Sequence, residues 1–201
     1  THSAYKVMED ETPPASATSE MHISAARDEY EAAQLVVRAS SPLEGLEVKM
    51  GNLEIDHGPA ISRHNIEVRY AWYVPLPHYN RTAPDPLPPL KRIDVPGGRN
   101  TPIFFIVHVP KDARAGEFTA PVVLQWKGGR AETKLHLTVW NFSLPRTPSC
   151  VTAFGYQKDH IAEKHGVDPS SPRARELYIK YYEMMLDYRI SPYHLPVQID
   201  S

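Results

Sequence analysis

The stretch Phe118–Phe142, with the sequence FTAPVVLQWKGGRAETKLHLTVWNF, carries the clearest structural pattern in the chain. Two runs rich in β-forming residues flank the Gly-containing sequence KGGR at positions 127–130, and this arrangement predicts a β-hairpin. In the second run Leu135, Leu137 and Val139 share one face, because side chains alternate along a strand. The stretch therefore predicts paired β-strands with one buried face.

The residues on either side of this hairpin extend the same β pattern. Twenty prolines and ten glycines divide the chain into short segments, and proline in sheets is confined to edges, strand starts and turns. Short strands between such turns favour an antiparallel β-sandwich, which we expect to occupy residues 1–148. The further predicted strands are Tyr30–Arg38, Leu46–Ile55, Ile66–Val74 and Ile103–Val109.

The pattern changes after Leu144-Pro145-Arg146-Thr147-Pro148. A short apolar run, Val151–Tyr156, precedes a predicted helix, Pro172–Tyr188, for which Ser171 is a suitable N-cap. A second strand-like run, Tyr193–Ile199, follows the helix. Because a parallel sheet needs cover on both faces, two strands and one helix are too few. We expect residues 149–201 to be the truncated start of a larger α/β domain, which the family resemblance described below implies to be a barrel.

The predicted helix carries a broad apolar face. A face this wide is typical of a helix that packs on a sheet, and core packing explains its aromatic residues better than a ligand platform does. The stripe consists of Leu177, Tyr181, Met184 and Tyr188, and Tyr178, Tyr182 and Met185 widen it.

Composition excludes several classes of function. Apolar residues make up 41% and charged residues 23% of the chain, and the net charge is −2, so the sequence is typical of a globular protein. It has no basic stripe to bind nucleic acid and no apolar run of about 18 residues to cross a membrane. The single cysteine, Cys150, cannot form a disulfide within the chain, and we expect it to be buried and inert. The compartment stays open, with secretion or the periplasm as candidates.

The sequence predicts neither a metal nor a cofactor. His160 and His165 are five residues apart, whereas two imidazoles on one helical face are separated by four. Neighbouring Asp28 and Glu29 would face opposite ways in a strand, so we interpret them as a turn rather than a catalytic pair. The Pro-rich segment Tyr79–Leu90 (YNRTAPDPLPPL) could be a surface decoration, a domain contact or a rigid loop over a sugar site.

Four phrases together resemble bacterial glycoside hydrolase family 123-like proteins, a set that includes the domain of unknown function 4091 family. Segment 23–34 (ISAARDEYEAAQ) resembles the family pattern AARNEYEAxQ, and segment 85–90 (DPLPPL) matches its DPLPPL loop. Segment 109–118 (VPKDARAGEF) is similar to VPxDAxAGxY, and segment 139–145 (VWNFSLP) to VWDFxLP. The four phrases follow the family's order.

The resemblance implies an N-terminal β-sandwich followed by a catalytic (β/α)₈ barrel. It implies hydrolysis of β-linked N-acetylhexosamine glycans of the N-acetylgalactosamine type, in which the sugar's own acetamido oxygen attacks the anomeric carbon and no protein nucleophile is needed. An adjacent Asp-Glu pair in the barrel assists that attack. No position of this chain matches the pair, so we expect the 201 residues alone to be inactive. The expected partners are a glycan and the remainder of the barrel, in the same protein or a second chain.

Two residues are candidates for substrate contact. Ligands bind at the carboxyl ends of barrel strands, and Tyr156 and His194 lie near the ends of the two predicted strands. The alternative role for each residue is a structural hydrogen bond inside the barrel. Two other functions stay open: a non-catalytic carbohydrate-binding module, with Trp72, Tyr73, Tyr79 or Trp126 as a stacking platform, and a protein-interaction domain.

Overall fold

The structure is a computed structural model that describes residues 3–150 and 152–193. The chain divides into two compact units at the Leu144–Pro145 junction. The first unit is built of strands, and the helices longer than one turn lie in the second. The predicted mostly-β class is confirmed.

The described part of the first unit forms ten strands in three sheets. A five-stranded sheet has the order β1-β10-β9-β3-β7, a three-stranded sheet has the order β2-β8-β4, and β5 pairs with β6. The strands are β1 Met21–Arg27, β2 Tyr30–Arg38, β3 Leu43–Met50, β4 Ile66–Tyr70, β5 Tyr73–Leu76, β6 Arg81–Pro84, β7 Ile93–Val95, β8 Asn100–His108, β9 Gly116–Trp126 and β10 Gly129–Ser143.

The five-stranded sheet is mixed rather than antiparallel. β1 runs parallel to β10, with Met21 opposite Leu135 and Ala25 opposite Val139. The expectation of a purely antiparallel arrangement is therefore wrong at this pair. Parallel neighbours need a crossover connection, and here nearly the whole unit lies between β1 and β10. No local turn signal could have indicated that pairing.

One apolar core joins the five-stranded and three-stranded sheets. Leu135, Leu137 and Val139 of β10 are buried, as the alternation predicts, and they share a cluster with Phe105 and Val107 of β8. Burial of side chains of this size contributes about 1.5–3 kcal/mol each, so this cluster is the main source of stability in the unit.

The predicted hairpin is confirmed, and two glycines adopt backbone conformations that favour glycine. Gly129 pairs with Trp126, which leaves Lys127 and Gly128 as the two-residue loop, and Gly128 has φ +91°. Gly116, at the start of β9, has φ +144°, and a Cβ there would lie 2.9 Å from Ile55 Cδ1. Glycine satisfies both requirements because it lacks a Cβ.

Asp28 and Glu29 form the turn that carries the chain from one sheet to the other. Asp28 has φ +61° and its amide donates to the Val109 carbonyl at 2.8 Å. The Glu29 carboxylate accepts a hydrogen bond from the Ala26 amide at 2.6 Å. The predicted turn between strands is confirmed: the Glu29 carboxylate binds a backbone amide, and the Asp28 carboxylate lies 3.6 Å from His108 Nε2.

Strand boundaries differ from the sequence prediction where backbone pairing changes partner. β3 begins at Leu43 and ends at Met50, and beyond it only isolated bridges form at Leu53 and Glu54. The predicted strand Ile66–Val74 breaks after Tyr70, because the amide of Trp72 donates to the carbonyl of Pro86 instead of continuing the pairing with β8.

The second unit contains α1 (Lys158–His165) and α2 (Pro172–Asp187). Ser171 is the N-cap of α2, and its hydroxyl accepts from the Ala174 amide at 3.1 Å, as predicted. α1 was not predicted, since its short sequence KDHIAEKH has no apolar stripe. It ends at Gly166, which adopts φ +63°.

The apolar face of α2 is rotated from the predicted stripe. Ala174, Leu177, Tyr178 and Met185 are buried, whereas Met184 and Tyr188 are exposed. Residues 174, 177, 178, 181 and 185 keep the same helical spacing as the predicted stripe. Sequence periodicity fixes the spacing of a buried face, but the neighbouring elements select which of several apolar faces turns inward.

Cys150 and the run after it also differ from expectation. Cys150 is exposed, because the predicted strand Val151–Tyr156 is reduced to a single bridge at Phe154 within its described residues. The prediction of a buried thiol is wrong. Neither described helix has the length and apolar character needed to cross a membrane.

Candidate functional site

The candidate site of the second unit lies next to a parallel backbone contact between the segments around Phe154 and Pro192. Phe154 forms a parallel bridge with Pro192. The Phe154 amide donates to the Ser191 carbonyl at 3.0 Å, and the Tyr193 amide donates to the Phe154 carbonyl at 3.2 Å. Both helices lie between Phe154 and Pro192 in the chain.

Tyr156 lies two residues beyond this bridge and directly before α1. Its side chain is only 8% exposed, and its ring lies 6.4 Å from that of Tyr182, tilted by 60°. The buried Tyr156 hydroxyl has no hydrogen-bond partner within residues 3–150 and 152–193. A buried polar atom without a partner costs about 1–3 kcal/mol, so this hydroxyl is the chemically unusual atom of the unit.

The surroundings keep the Tyr156 phenol neutral. Burial raises the pKa of Tyr156, and the neighbouring phenols of Tyr182 and Tyr178 act in the same direction. A neutral phenol retains its proton and can donate one hydrogen bond. Its substrate contact stays a prediction. His194, the other predicted contact, lies outside the described residues.

Other polar side chains of the second unit have structural partners. The Tyr178 hydroxyl donates to the Pro169 carbonyl at 3.1 Å, and His165 Nε2 lies 3.0 Å from the Tyr181 hydroxyl. Ser170 donates to Asp168 from its hydroxyl and its amide, which lowers the pKa of that carboxyl. These bonds fix the α1–α2 connection.

Besides Tyr5, exposed aromatic residues occur at two places in the described part of the first unit. Trp72 is 55% exposed and lies 6.3 Å from the Tyr70 ring. Trp140 and Phe142 are 48% and 49% exposed, with centroids 5.7 Å apart. The second pair was missed, although the alternation that turns Leu137 and Val139 inward also turns residues 140 and 142 outward.

The other predicted platform residues are held in the structure. The Tyr73 hydroxyl donates to the Val7 carbonyl at 2.8 Å, and Trp126 packs against the core. The Tyr79 side chain lies outside the part that the structure describes. Among the predicted platform residues whose side chains the structure describes, Trp72 is the exposed one.

The Pro-rich segment Tyr79–Leu90 is tied to the three-stranded sheet. Its first half forms β6, which pairs with β5. In its second half, backbone bonds join residues 85–90 to residues 68–72, and Asp85 forms an ion pair with Lys6 at 2.8 Å. The segment is hydrogen-bonded to the rest of the first unit.

One of the solved structures that resemble this chain is similar over most of its length. A family 123 glycoside hydrolase from Clostridium perfringens, studied for glycolipid glycan hydrolysis, is similar over 84% of this chain and 32% of that chain, with a TM-score of 0.71 and 14% identity. This chain therefore spans about a third of that enzyme's length. At this identity the likeness defines the fold. No family model matches the sequence, and no curated protein matches it significantly.

Two other solved structures are less similar. The Pseudomonas aeruginosa CupB2 chaperone has a TM-score of 0.36 and 10% identity, over 61% of this chain and 53% of that chain. The CooA pilin subunit of enterotoxigenic Escherichia coli has a TM-score of 0.37 and 13% identity, over 69% of this chain and all of that chain. These scores are too low to indicate a shared architecture.

Proposed function

We propose that this chain is part of a glycoside hydrolase of the family 123 type. The observation that carries the proposal is the extent of the structural likeness. Eighty-four per cent of 201 residues is about 169 residues, whereas the first unit ends at residue 144. The likeness to the clostridial enzyme therefore includes part of the second unit as well as the first.

In this proposal the first unit is a structural β-sandwich, and the second unit begins a (β/α)₈ barrel. The parallel bridge between Phe154 and Pro192, with helices between its two segments, supports a β/α repeat. Tyr156 then lies at the carboxyl end of the first barrel strand, where barrel enzymes bind ligands. Its unpartnered hydroxyl is a suitable donor for a sugar oxygen.

The proposed substrate is a glycan with a β-linked N-acetylhexosamine of the N-acetylgalactosamine type. The reaction is hydrolysis assisted by the substrate's acetamido group, and its acids are contributed by a part of the barrel beyond this chain. Acidic residues that are neighbours in the sequence do occur in the first unit, but several of them have structural partners there. This supports the proposal that the catalytic acids belong to another part of the protein. Glu29 binds the Ala26 amide, Glu9 pairs with Arg99, and Glu11 accepts from Tyr5 and from the Met8 amide.

The remainder of the barrel is the proposed partner of the second unit. Several large apolar side chains of this unit are exposed, and exposed apolar patches mark interaction surfaces. Docked barrel strands would cover them. The exposed residues are Phe154, Met184, Leu186, Tyr188 and Tyr193.

Activity assays with aryl β-N-acetylhexosaminides test the proposal. We expect no turnover by the 201-residue chain and turnover by the longer protein that includes the rest of a barrel. Robust turnover by this chain alone would contradict the assignment of the catalytic acids. An inactive longer protein on β-N-acetylgalactosaminides and β-N-acetylglucosaminides would contradict the substrate class.

A carbohydrate-binding module is the second candidate, and the exposed aromatic pairs favour it. Trp72 with Tyr70, and Trp140 with Phe142, present rings on which sugar faces can stack. Binding of this chain to a glycan array, weakened by Trp72→Ala or Trp140→Ala, would support this function. Trp126→Phe is a control, because Trp126 packs on the core. Absence of binding would argue against it.

A further inference from the structure

Two histidines lie opposite each other on the outer face of the five-stranded sheet. His22 of β1 is in register with His136 of β10, and the two rings are stacked with centroids 4.5 Å apart and planes 6° apart. Their sequence neighbours Met21 and Leu135 point into the core. The imidazoles are therefore on the opposite side, toward solvent.

Glu20 brings a carboxylate to the same place. Its Oε2 lies 3.1 Å from His136 Nε2, and one ligand atom each of Glu20, His22 and His136 lie within 4.8 Å of one another. Zn²⁺ binds nitrogen and oxygen ligands at about 2.0–2.2 Å in tetrahedral geometry, which places the ligand atoms about 3.3 Å apart. The three side chains must approach by up to about 1.5 Å to reach that geometry.

Two of the three side chains can make that adjustment. Glu20 and His22 are exposed, and apart from their contacts with His136 their torsions can change without displacing the core. Because the rings of His22 and His136 are stacked nearly parallel, their nitrogen lone pairs point in parallel directions and cannot both be directed at one ion. One ring must therefore turn, and His22 is the ring that turns, since it lies on the edge strand β1.

The third side chain is already oriented. His136 Nδ1 lies 3.2 Å from Thr119 Oγ1 on β9, the residue opposite His136 in register. In the metal-free protein the contact with Glu20 requires a proton on Nε2; when a metal ion displaces that proton, Nδ1–H donates to the Thr119 hydroxyl and the Nε2 lone pair binds the ion. Metal-binding histidines commonly donate their second ring N–H to an oxygen in this way.

We propose that Glu20, His22 and His136 bind a divalent transition-metal ion of the Zn²⁺ type, with solvent at the remaining position. Two imidazoles and one carboxylate suit such borderline ions, whereas Ca²⁺ and Mg²⁺ prefer oxygen ligands. The bound ion links edge strand β1 and the preceding Glu20 to β10, a strand more than 100 residues later. This link stabilises the parallel pair that has no local turn to hold it.

Calorimetric titration of the metal-free 201-residue chain with Zn²⁺ tests the proposal, together with the midpoint of thermal unfolding. We expect one saturable site whose occupation raises the midpoint. His22→Ala, an exposed change, is expected to abolish the rise and to weaken Zn²⁺ binding by more than about tenfold, while leaving the metal-free midpoint unchanged. Thr119→Val is expected to weaken binding by about 10–100-fold.

His64→Ala is the matched control, because His64 is also an exposed histidine of the first unit. The proposal requires the His64→Ala protein to bind Zn²⁺ with the same affinity as the parent chain. Equal affinities in the parent, His22→Ala and His64→Ala proteins would show adventitious binding by scattered histidines and overturn the site. Absence of any Zn²⁺-dependent change in the unfolding midpoint would overturn it too.

Ring ¹⁵N chemical shifts provide an independent readout. Zn²⁺ is expected to shift the resonances of His22 and His136 together at one equivalent of metal. Shifts confined to other histidines would contradict the assignment.

Discussion

The carboxylate of Glu29 accepts a hydrogen bond from the amide of Ala26 at 2.6 Å, across the turn where the chain passes from one sheet to the other. Ala26 is 1% exposed, so its amide cannot be solvated in place of this bond. Glu29 is therefore a structural residue.

Glu29→Ala is expected to destabilise the chain by about 1–3 kcal/mol, because it leaves a buried N–H group without a partner. Urea unfolding measures the loss. Glu29→Gln, which keeps an oxygen acceptor, should lose less. Glu31→Ala is a control on β2 and should change stability by less than about 0.5 kcal/mol. An equal loss in Glu29→Ala and Glu31→Ala would contradict the role of this bond.

Ser171→Ala is expected to lower the stability of the second unit by about 1 kcal/mol, the usual contribution of a helix N-cap. The Ser171 hydroxyl accepts from the Ala174 amide at 3.1 Å, and alanine offers no acceptor. Ser171→Asp keeps an acceptor and should retain the stability. Helical circular dichroism during thermal unfolding measures both, and identical midpoints for Ser171→Ala and the parent would count against the cap.

Tyr73 is expected to make the first unit sensitive to alkali. Burial raises its pKa to about 12, and the carboxylates of Glu9, Glu11 and Asp10 act in the same direction. In the unfolded chain a tyrosine titrates near pH 10. Because the folded-state pKa is the higher one, this contribution to stability is complete below about pH 10 and is lost as the pH rises through 12.

Tyr73→Phe should therefore flatten the fall in unfolding free energy between about pH 10 and 12. At neutral pH it should cost about 0.5–1.5 kcal/mol, because the hydrogen bond to the Val7 carbonyl is lost. Urea titrations across this pH range give both quantities. A Tyr73→Phe profile that runs parallel to the parent's would contradict the assignment.

Tyr156→Phe and Tyr178→Phe are expected to have opposite effects on stability. The Tyr156 hydroxyl has no partner in the described part of the chain, so its removal should leave the unfolding midpoint unchanged or higher. The Tyr178 hydroxyl donates to the Pro169 carbonyl, and its removal should cost about 0.5–1.5 kcal/mol. Thermal unfolding followed by circular dichroism compares the two, and a large loss in Tyr156→Phe would show that its hydroxyl has a structural partner.

Sequence reasoning worked well wherever the signal was local. The hairpin at Lys127-Gly128, the inward face of Leu135, Leu137 and Val139, and the Ser171 cap all depend on residues within a few positions of one another. Helix α1 was missed for the same reason, since residues 158–165 lack the apolar period that marks a helix. The exposed face of α2 at Met184 and Tyr188 was misassigned because an isolated helix with apolar residues on several sides does not specify which side is buried.

The amino-acid sequence by itself determined the mostly-β class, the positions of the turns and the alternation of buried and exposed residues, since these follow from backbone geometry and neighbouring side chains. Only the tertiary structure decided that β1 pairs in parallel with β10, that Glu20 and His22 meet His136, and that the Tyr156 hydroxyl is buried without a partner among residues 3–150 and 152–193. These relationships join residues far apart in the chain. They arise from collapse of the whole core, and no spacing in the sequence encodes them.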